Sequence, residues 1–503
     1  MSPGTGTDAI PMIGDTRLPE VTDTLREFFV SRSIEAYVVG GALRDALMAR
    51  QSGDVDVAVA TDVRVAGPQI AATLGGTHVA LDESRGIVRV VVPVKDGTSG
   101  VDISQLDEGI EEDLRRRDFT VDAMALPMHR LGHGDPGRHL IDPLGGLSDL
   151  RARVIRAVAP GTFAADPVRL LRAPRLAAQL RFDIDATTRT QIRAGAHLVT
   201  DVAPEPTRDE LLKLLAEPGA TDSLRLLDEL DLLCRVVPEI SEARGVTQPK
   251  EHHWDVFGHL LETPGQVERV IDPQPDRGGF VETGLPGFDG KEDHFAEEVS
   301  DGHSRRTLLK LAGLLHDISK PATRTVEESG RIRFIGHHTE GAAVAEAVLK
   351  RLRLSRRGVE LVALMVRHHL RPSQMAQQGE MPSGKAIYRF FRDAGEASVD
   401  TLFLNLSDYL AARGPDLGRD EWSRHCRLVQ HILREGLERK APEVLPKLVN
   451  GHDIMDELRL DPGPRVAALL QEVTDAVANG QISTREEALE LVRNKMEMRD
   501  SRA

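Results

Sequence analysis

The chain has 503 residues, with 40% hydrophobic, 28% charged and only 4% aromatic side chains, a composition typical of several folded domains. The net charge of −15 argues against a uniform nucleic-acid-binding surface, and the scarcity of aromatic residues argues against base stacking as the main way of holding RNA. With only two cysteines, the chain has neither a disulfide framework nor a cysteine-type zinc site, which fits a reducing cytoplasm. It contains no apolar run of about 18 residues, so we expect no membrane span.

The first predicted elements are a leader, a strand and a helix. Residues 1–19 lack a basic region followed by an apolar one, so we expect a flexible leader rather than a signal peptide. Tyr37–Val39 predicts a strand, Gly40-Gly41 a tight turn and Ala42–Ala49 a helix. The N–H groups that open such a helix bind phosphate well.

The next strand carries an acidic pair. Residues 54–59 read DVDVAV, a period of two that predicts a strand with one apolar face. Asp54 and Asp56 then project to the same side, where a divalent cation would relieve their repulsion, and hard oxygen ligands suit Mg²⁺. A solvated strand face is the simpler alternative. A phosphate-binding turn beside an acidic metal site is what nucleotidyl or phosphoryl transfer requires.

Further strands are predicted at Val88–Val94 and Gly100–Ser104. The second contains Asp102, a third candidate metal ligand, for which a plain strand-end aspartate is the alternative. From about residue 151 the pattern becomes helical almost throughout. Residues 271–306 stand apart because they are polar, acidic and rich in Gly and Pro without periodicity, so we expect a mobile loop there.

Dense groups of arginine predict local basic surfaces on this acidic chain, and such surfaces bind RNA in a salt-sensitive way. The groups are Arg115–Arg117; Arg151, Arg153 and Arg156; Arg169, Arg172 and Arg175; and Arg351, Arg353, Arg356 and Arg357. Ordinary solvated helix faces are the alternative, above all for the last group.

Five motifs occur in one order along the first part of the chain. They are GGALRD (40–45), DVDVAV (54–59), RRRDFTVDAMA (115–125), IDPLGGLSDL (141–150) and ADPVRLLRAPR (165–175). Over about residues 20–215 this series resembles the class II tRNA nucleotidyltransferase and bacterial poly(A) polymerase family. The resemblance implies an α+β fold, in which a small mixed α/β, polymerase-beta-like head precedes a mostly helical neck, body and tail.

The same resemblance implies attack by an RNA 3′-hydroxyl on the α-phosphorus of CTP or ATP, with release of pyrophosphate. Asp54, Asp56 and Asp102 would hold two Mg²⁺ ions. The residues implied in nucleotide binding are Gly41 for close backbone approach, Arg44, Arg117, Arg172 and Arg175 for the phosphates, Asp118 for the ribose, and Asp166 with Arg169 for the base edge. Without the resemblance, Arg117 and Asp118 form an ordinary ion pair, and residues 166–175 form a helix that packs through its leucines.

Some residues depart from the family pattern. Ala165 stands where Glu is usual, Asp122 where Asn is usual, and Pro206 where the next motif carries Arg. Pro174 is expected to interrupt a helix that normally continues. Because these departures avoid the acidic pair, the resemblance supports catalysis better than it supports nucleotide specificity.

A second resemblance, to HD-type metal domains, covers about residues 250–415. It is carried by HHWDVFGHLLE (252–262), LLKLAGLLHDISKP (308–321), FIGHHTEGA (334–342), VRHHLRP (366–372) and LNLSDYLAARG (404–414). The implied ligands of a second divalent metal are His259, His316, Asp317, His338, His368 and Asp408. HD domains include both active phosphohydrolases and purely structural versions, so the resemblance leaves this function open.

The expected domains are a leader (1–19), a nucleotidyltransferase head (20–150), a neck that binds RNA and the nucleobase (151–249), an HD-type body (250–440) and a C-terminal tail (441–503). The leading interpretation is a cytoplasmic enzyme that adds CCA, or part of it, to tRNA from CTP and ATP. An A-adding enzyme or poly(A) polymerase acting on another RNA 3′ end is the close alternative. Alternatives of other classes are a metal-dependent phosphohydrolase with a degenerate head, and a non-catalytic RNA-binding protein.

Overall fold

The computed structural model describes residues 21–50, 53–82, 86–94, 97–131, 138–273, 279–376, 381–440, 448–478 and 481–500. The expected leader lies outside these residues. The chain divides into two compact units, one formed by the residues up to Leu214 with Leu226–Val236, the other by Leu215–Arg225 with the residues from Val237 onward. The finer domain boundaries given above stay a prediction.

The first unit contains a six-stranded mixed sheet. Its strands are β1 (Ala36–Val39), β2 (Val55–Val59), β3 (Thr77–Asp82), β4 (Ile87–Val94), β5 (Gly97–Gln105) and β6 (Ala125–Pro127). They lie in the order β3-β4-β5-β2-β1-β6, in which β2 and β5 are parallel and the other pairs antiparallel. The valines of DVDVAV are buried as their alternation predicts, so β2 presents its apolar side to the core and its acidic side to the opposite face.

Helices cover the sheet and continue beyond it. They are α1 (Val21–Ser31), α2 (Gly40–Leu47), α3 (Val63–Leu74), α4 (Ile110–Arg115), α5 (Gly146–Ala152), α6 (Thr162–Ala165), α7 (Arg169–Leu180), α8 (Ala186–Gly195), α9 (Pro204–Ala216), α10 (Ala220–Glu229) and α11 (Leu233–Val236), with a short parallel pair β7 (Val154–Ile155) and β8 (Asp183–Ile184) between them. A mixed sheet followed by helices confirms the α+β class.

Pro174 does not interrupt its helix, contrary to expectation. Helix α7 runs through it to Leu180, and Pro174 is itself buried. A proline removes one backbone N–H, and α7 tolerates that loss because its leucines, among them Leu170 and Leu176, are buried on one face.

The second unit is mainly helical. Its elements are α12 (Val256–Ile271), α13 (Lys291–Ala296), β9 (Glu298–Ser300), β10 (His303–Ser304), α14 (Arg305–Leu315), β11 (Arg324–Val326), β12 (Ile332–Phe334), α15 (His337–Arg351), α16 (Arg356–His368), α17 (Arg371–Gln374), α18 (Gly384–Ala394), α19 (Ser398–Arg413), α20 (Arg419–Lys440), α21 (Gly451–Leu458), α22 (Pro464–Ala478) and α23 (Arg485–Asp500). The last three helices share a small apolar core of their own around Ile454 and Val492. Among the described residues, none of the helices of either unit combines the length and apolarity that a membrane crossing requires.

The segment 271–306, expected to be an irregular loop, includes regular elements in its second half. Helix α13 and the β9–β10 hairpin lie within it. Phe295 is fully buried, and Trp422 donates a hydrogen bond from its indole N–H to the carbonyl of Val281 at 2.9 Å. The few apolar residues that anchor this segment are spaced too widely to give a period, so the sequence does not reveal its packing. Residues 274–278 lie outside the described part of the chain.

Candidate active site and metal centre

The Gly-Gly segment lies directly against the acidic pair. Gly40 begins α2 with a φ of +64°, and a Cβ atom there would lie 2.9 Å from Oδ2 of Asp56 and 3.0 Å from Nη1 of Arg117. The position therefore demands glycine for both conformation and space. The backbone N–H of Ala42, in the first turn of α2, points at Oδ2 of Asp56 at 3.4 Å. The start of the helix thus faces the carboxylate of Asp56.

Of the three predicted metal-binding aspartates, Asp56 and Asp102 pair across β2 and β5, while Asp54 lies just before β2 and does not line the cavity described below. Asp56 and Asp102 are register partners in the parallel pair, so their side chains leave the sheet on the same face. Asp54 precedes β2 and accepts a hydrogen bond from the backbone N–H of Gly100 at 2.9 Å. Burial raises the pKa of Asp56, and the negative charge of the neighbouring Asp102 acts in the same direction, while the N–H of Ala42 and the charge of Arg117 oppose the rise.

The hard oxygen donors of these aspartates suit Mg²⁺, but a guanidinium lies among them. Arg89 on β4 donates from Nε and Nη2 to the two oxygens of Asp102, each at 2.6 Å, and its Nη2 lies 3.5 Å from Oδ2 of Asp54. The carboxylate oxygens of the three aspartates do not all lie within 4.8 Å of one another, the spacing at which described residues could share one ion. Their donor chemistry fits a divalent ion, and Arg89 is the group that an incoming ion would meet.

A cavity of about 300 Å³ opens beside the acidic residues. The predicted site residues that line it are Gly41, Asp56, Asp102, Arg117, Asp118, Asp166, Arg169 and Arg172. They come from β2, β5, the start of α2, the segment after α4 and the start of α7. The structure therefore brings most of the predicted nucleotide site together, while the role of each residue stays a prediction.

Two predicted phosphate ligands are engaged by carboxylates or amide oxygens of the protein. Arg44 is buried and directs its Nη1 to Asp122 at 2.8 Å and its Nε to Asp45 at 2.9 Å. Arg175 directs its Nε to Glu210 and its Nη1 to Gln179, each at 2.7 Å. Neither arginine is among the residues that line the cavity, and their direct contact with phosphate stays a prediction.

Asp122, which departs from the family pattern, has a defined partner. Burial raises its pKa, and the ion pair with Arg44 opposes that shift. Sequence reasoning noted the departure but missed the pairing, because the two residues lie 78 positions apart along the chain. The pair places a carboxylate, rather than an amide, in the cavity wall.

The motif at 141–150 packs against the chain segment that follows Asp118, a residue of the cavity wall. Asp149 accepts hydrogen bonds from the hydroxyl of Thr120 at 2.7 Å and from Nε of Arg156 at 3.0 Å. A Cβ atom on Gly146 would lie 2.1 Å from the carbonyl oxygen of Thr120, so α5 packs directly onto the segment that follows Asp118.

The second unit contains a buried cluster of imidazoles and carboxylates. Nε2 of His259 lies 3.1 Å from Nε2 of His316, 3.4 Å from Oδ2 of Asp317 and 3.1 Å from Oδ1 of Asp408. Ligand atoms of one octahedral ion are about 3 Å apart when the bonds are about 2.1 Å long. Burial lowers the pKa of His316, but Asp317 and Asp408 outweigh it and raise that pKa to about 10. These four predicted ligands are thus brought together.

The other two predicted ligands are each displaced by one residue. His337 and His369, not His338 and His368, join Asp317 in a second group of possible ligands. Nε2 of His337 lies 3.2 Å and Nε2 of His369 lies 3.6 Å from Oδ1 of Asp317. His338 and His368 are only partly buried and are absent from both groups of ligands found among the described residues.

The histidines are oriented as metal ligands commonly are. His316, His337 and His369 each direct Nδ1 to the backbone carbonyl three residues earlier, at 2.6–2.9 Å, which leaves Nε2 facing the cluster. Nε2 of His337, Nε2 of His369 and Oδ1 of Asp317 are buried and have no hydrogen-bond partner. Unpaired polar atoms that converge in this way fit a divalent ion at each group, with Asp317 shared between the two.

Comparisons with known proteins agree with this geometry. Family profiles match at residues 36–156 (Poly A polymerase head domain), 181–244 (Probable RNA and SrmB- binding site of polymerase A) and 294–413 (HD domain). The A-adding tRNA nucleotidyltransferase of Deinococcus radiodurans is 35% identical over 463 residues, which cover 90% of this chain and 94% of that protein. The chain belongs to the tRNA nucleotidyltransferase family.

Other members of the family add detail. The CC-adding tRNA nucleotidyltransferase of Thermus thermophilus is 31% identical over 460 residues, 90% of this chain and 92% of that protein. The structure of the Thermotoga maritima CCA-adding enzyme complexed with tRNA aligns with a TM-score of 0.57 at 20% identity, covering 96% of this chain and 98% of that one. At that identity the alignment shows the common fold alone.

Proposed function

We propose that this protein adds all or part of the CCA sequence to the 3′ end of tRNA, using CTP and ATP. Its family relatives are named for adding A or CC to tRNA. The observation that carries the proposal is the single cavity wall in which Asp56, Asp102 and the glycines of α2 face Arg117 and Arg172. Acidic and basic groups that converge in this way match a metal-bound triphosphate.

Each group in the cavity has a role in nucleotidyl transfer. Gly40 and Gly41 let the α2 backbone approach the phosphates, and Arg117 and Arg172 neutralise their charge. Asp118, which lies 3.2 Å from Nε of Arg172, is proposed to accept a hydrogen bond from a ribose hydroxyl. The RNA 3′-hydroxyl gives up its proton to solvent as its oxygen forms a bond to the α-phosphorus, and the bond from the α-phosphorus to the pyrophosphate oxygen breaks.

Mg²⁺ is the proposed cofactor of the head, held by Asp56, Asp102 and Asp54. When bound, it supplies a lower pKa for the attacking hydroxyl and charge stabilisation for pyrophosphate. The protein is proposed to act in the cytoplasm. In support, the chain has only two cysteines, a usage typical of proteins from a reducing compartment.

Base selection is proposed to rest on Asp166 and Arg169. The Nη1 and Nη2 atoms of Arg169 contact the backbone carbonyls of Arg116, Arg117 and Thr162 at 3.0–3.4 Å, which holds the guanidinium at the cavity edge. A fixed guanidinium beside a carboxylate offers both donors and an acceptor to a nucleobase edge.

The test is end-resolved extension of tRNA. Transcripts that end before the first C, after CC and after CCA are incubated with CTP, ATP or both, and products are separated at single-nucleotide resolution. A CCA-adding, CC-adding or A-adding protein gives a different set of products, while untemplated tails of many A residues would identify a poly(A) polymerase. If none of the three transcripts is extended, the proposal is contradicted.

A second function is proposed for the HD unit, namely metal-dependent phosphohydrolysis. It is favoured by the two groups of ligands that share Asp317 and by the cavity of about 930 Å³ beside them, lined by Lys320, Lys250 and Arg331 among others. Hydrolysis of bis-p-nitrophenyl phosphate with Mn²⁺, Ni²⁺ or Mg²⁺ tests it. Activity that Asp317→Asn removes and Asp56→Asn leaves intact is the expected result, and no hydrolysis with any ion contradicts this second function.

A further inference from the structure

Among the described residues of the first unit, Arg89 is the cation that binds the proposed metal-binding carboxylates without being part of any of the five sequence motifs. It is the register partner of Asp102 across β4 and β5, and Asp102 is in turn the register partner of Asp56 across β5 and β2. The three side chains therefore form a row across adjacent strands on one face of the sheet.

The contacts of Arg89 engage the carboxylates that a metal needs. Both oxygens of Asp102 accept from its guanidinium at 2.6 Å, and Oδ2 of Asp54 lies 3.5 Å from the same Nη2. A fork that donates two parallel hydrogen bonds to a carboxylate is among the strongest ion pairs of proteins. Arginine is always protonated in proteins, so the guanidinium that donates to Asp102 carries a full positive charge.

We propose that Arg89 is a positioning residue that competes with the divalent ion of the head for Asp102 and Asp54. Its charge neutralises the two aspartates in the metal-free enzyme and keeps Asp102 aligned in the row. An ion can take Asp102 as a ligand only as the guanidinium gives up at least one of its two hydrogen bonds. Arg89 therefore weakens metal affinity and makes full metal loading depend on the charge that the triphosphate brings.

This inference rests on the metal site of the proposed function. The test is a titration of the full-length protein with Mn²⁺ in the absence of nucleotide. Binding is measured as the loss of the electron paramagnetic resonance signal of free Mn²⁺. The component of the isotherm that disappears in the double variant Asp54→Asn, Asp56→Asn defines the head site and separates it from the HD cluster.

Arg89→Gln is expected to lower the Kd of the head component roughly tenfold, because a positive charge beside the ion is removed. Arg89→Lys keeps that charge without the fork and is expected to fall between Arg89→Gln and the wild type. Arg64→Gln is the matched control, because it removes an arginine that also holds one aspartate, Asp62, with two hydrogen bonds, at 2.9–3.0 Å. Its Kd is expected to match that of the wild type.

The same variants separate metal affinity from nucleotide affinity. In extension assays Arg89→Gln should need less Mg²⁺ for half-maximal rate, while KM for the nucleotide at saturating Mg²⁺ changes little. An unchanged or raised Kd for Mn²⁺ in Arg89→Gln overturns the inference, since an arginine that only braces the sheet would leave the site looser. If neither the wild type nor Arg89→Gln shows a component that depends on Asp54 and Asp56, the metal site of the proposed function fails as well.

Discussion

The carboxylate of Asp118, which is buried, lies 3.2 Å from Nε of Arg172, which is half-exposed in the cavity wall. Asp118 raises the pKa of that guanidinium, so its positive charge is secure at any physiological pH. One side of Arg172 is thus fixed by the protein while the other faces the space in which a triphosphate would lie. Arg175, one turn further along α7, has no access to that space.

Arg172 and Arg175 should therefore behave differently. Arg172→Gln is expected to raise KM for the nucleotide at least about tenfold, since it removes a charged donor from the cavity. Arg175→Gln should leave KM unchanged but lower the free energy of unfolding by about 3 kcal/mol, because the largely buried Glu210 loses its partner. Steady-state extension kinetics and urea unfolding of both variants provide the check. An equal rise in KM for both variants would contradict this division of roles.

Asp56 should be required for nucleotide addition. Asp56→Asn is expected to reduce the rate of extension by about a thousandfold or more, since the metal site loses a ligand that borders the glycines of α2. Asp62→Asn makes the same chemical change just beyond the end of the same strand. Asp62 caps α3 by accepting from the N–H of Arg64, and asparagine caps as well, so this control should retain activity. Single-turnover extension at saturating Mg²⁺ measures both.

Substitution of adjacent histidines can show which of them bind metal in the HD cluster. His369→Ala should reduce the metal content of protein dialysed against Mn²⁺, because Nε2 of His369 faces the shared Asp317. His368→Ala should retain its metal. Inductively coupled plasma mass spectrometry of the two variants and of the wild type gives the answer. Loss of metal in His368→Ala but not in His369→Ala would restore the ligand set first expected from the sequence.

His425 should make the second unit sensitive to acid. Burial lowers its pKa to about 4, and its ring stacks on that of Tyr409 at 4.1 Å. Because the unfolded chain has a higher pKa, near 6.5, it binds the proton first. This contribution to stability is present above pH 6.5 and is lost as the pH falls toward 4.

The expected loss from His425 is at most about 3 kcal/mol. Urea unfolding of His425→Gln at several pH values between 7.5 and 4 should show a shallower pH dependence than the wild type. His197→Gln, at an exposed position, is the control and should keep the slope of the wild type. A slope in His425→Gln equal to that of the wild type would show that other groups carry the acid sensitivity.

The sheet and its acidic face were predictable because strand alternation depends on local sequence alone. DVDVAV specifies which side each residue takes, and the structure buries the valines accordingly. The row of arginines on α7 was predicted to lie on one face, but at 3.6 residues per turn Arg175 is rotated by about 120° from Arg169, enough to reach Glu210 instead of the cavity. Arg89 could not be found, since its role depends on the register of three strands.

Local sequence also could not show which of two adjacent histidines is the buried one. Residues 361–366 read LVALMV, so His368 and His369 both have apolar neighbours three and four positions earlier. Helical periodicity therefore favours neither, and only the packing of α16 selects His369 for burial. The same ambiguity applies to His337 and His338 at the start of α15.

The close packing of Gly146 against the carbonyl of Thr120 indicates that the motif at 141–150 serves the fold rather than nucleotide binding. Its glycine and its Asp149 meet backbone and side chains of the neighbouring segment, not the cavity. Selection would preserve such a motif wherever the fold persists, even in a descendant that no longer joins nucleotides to RNA. Genome surveys that seek working enzymes of this kind should therefore score Asp56, Asp102 and Arg172 rather than the whole signature.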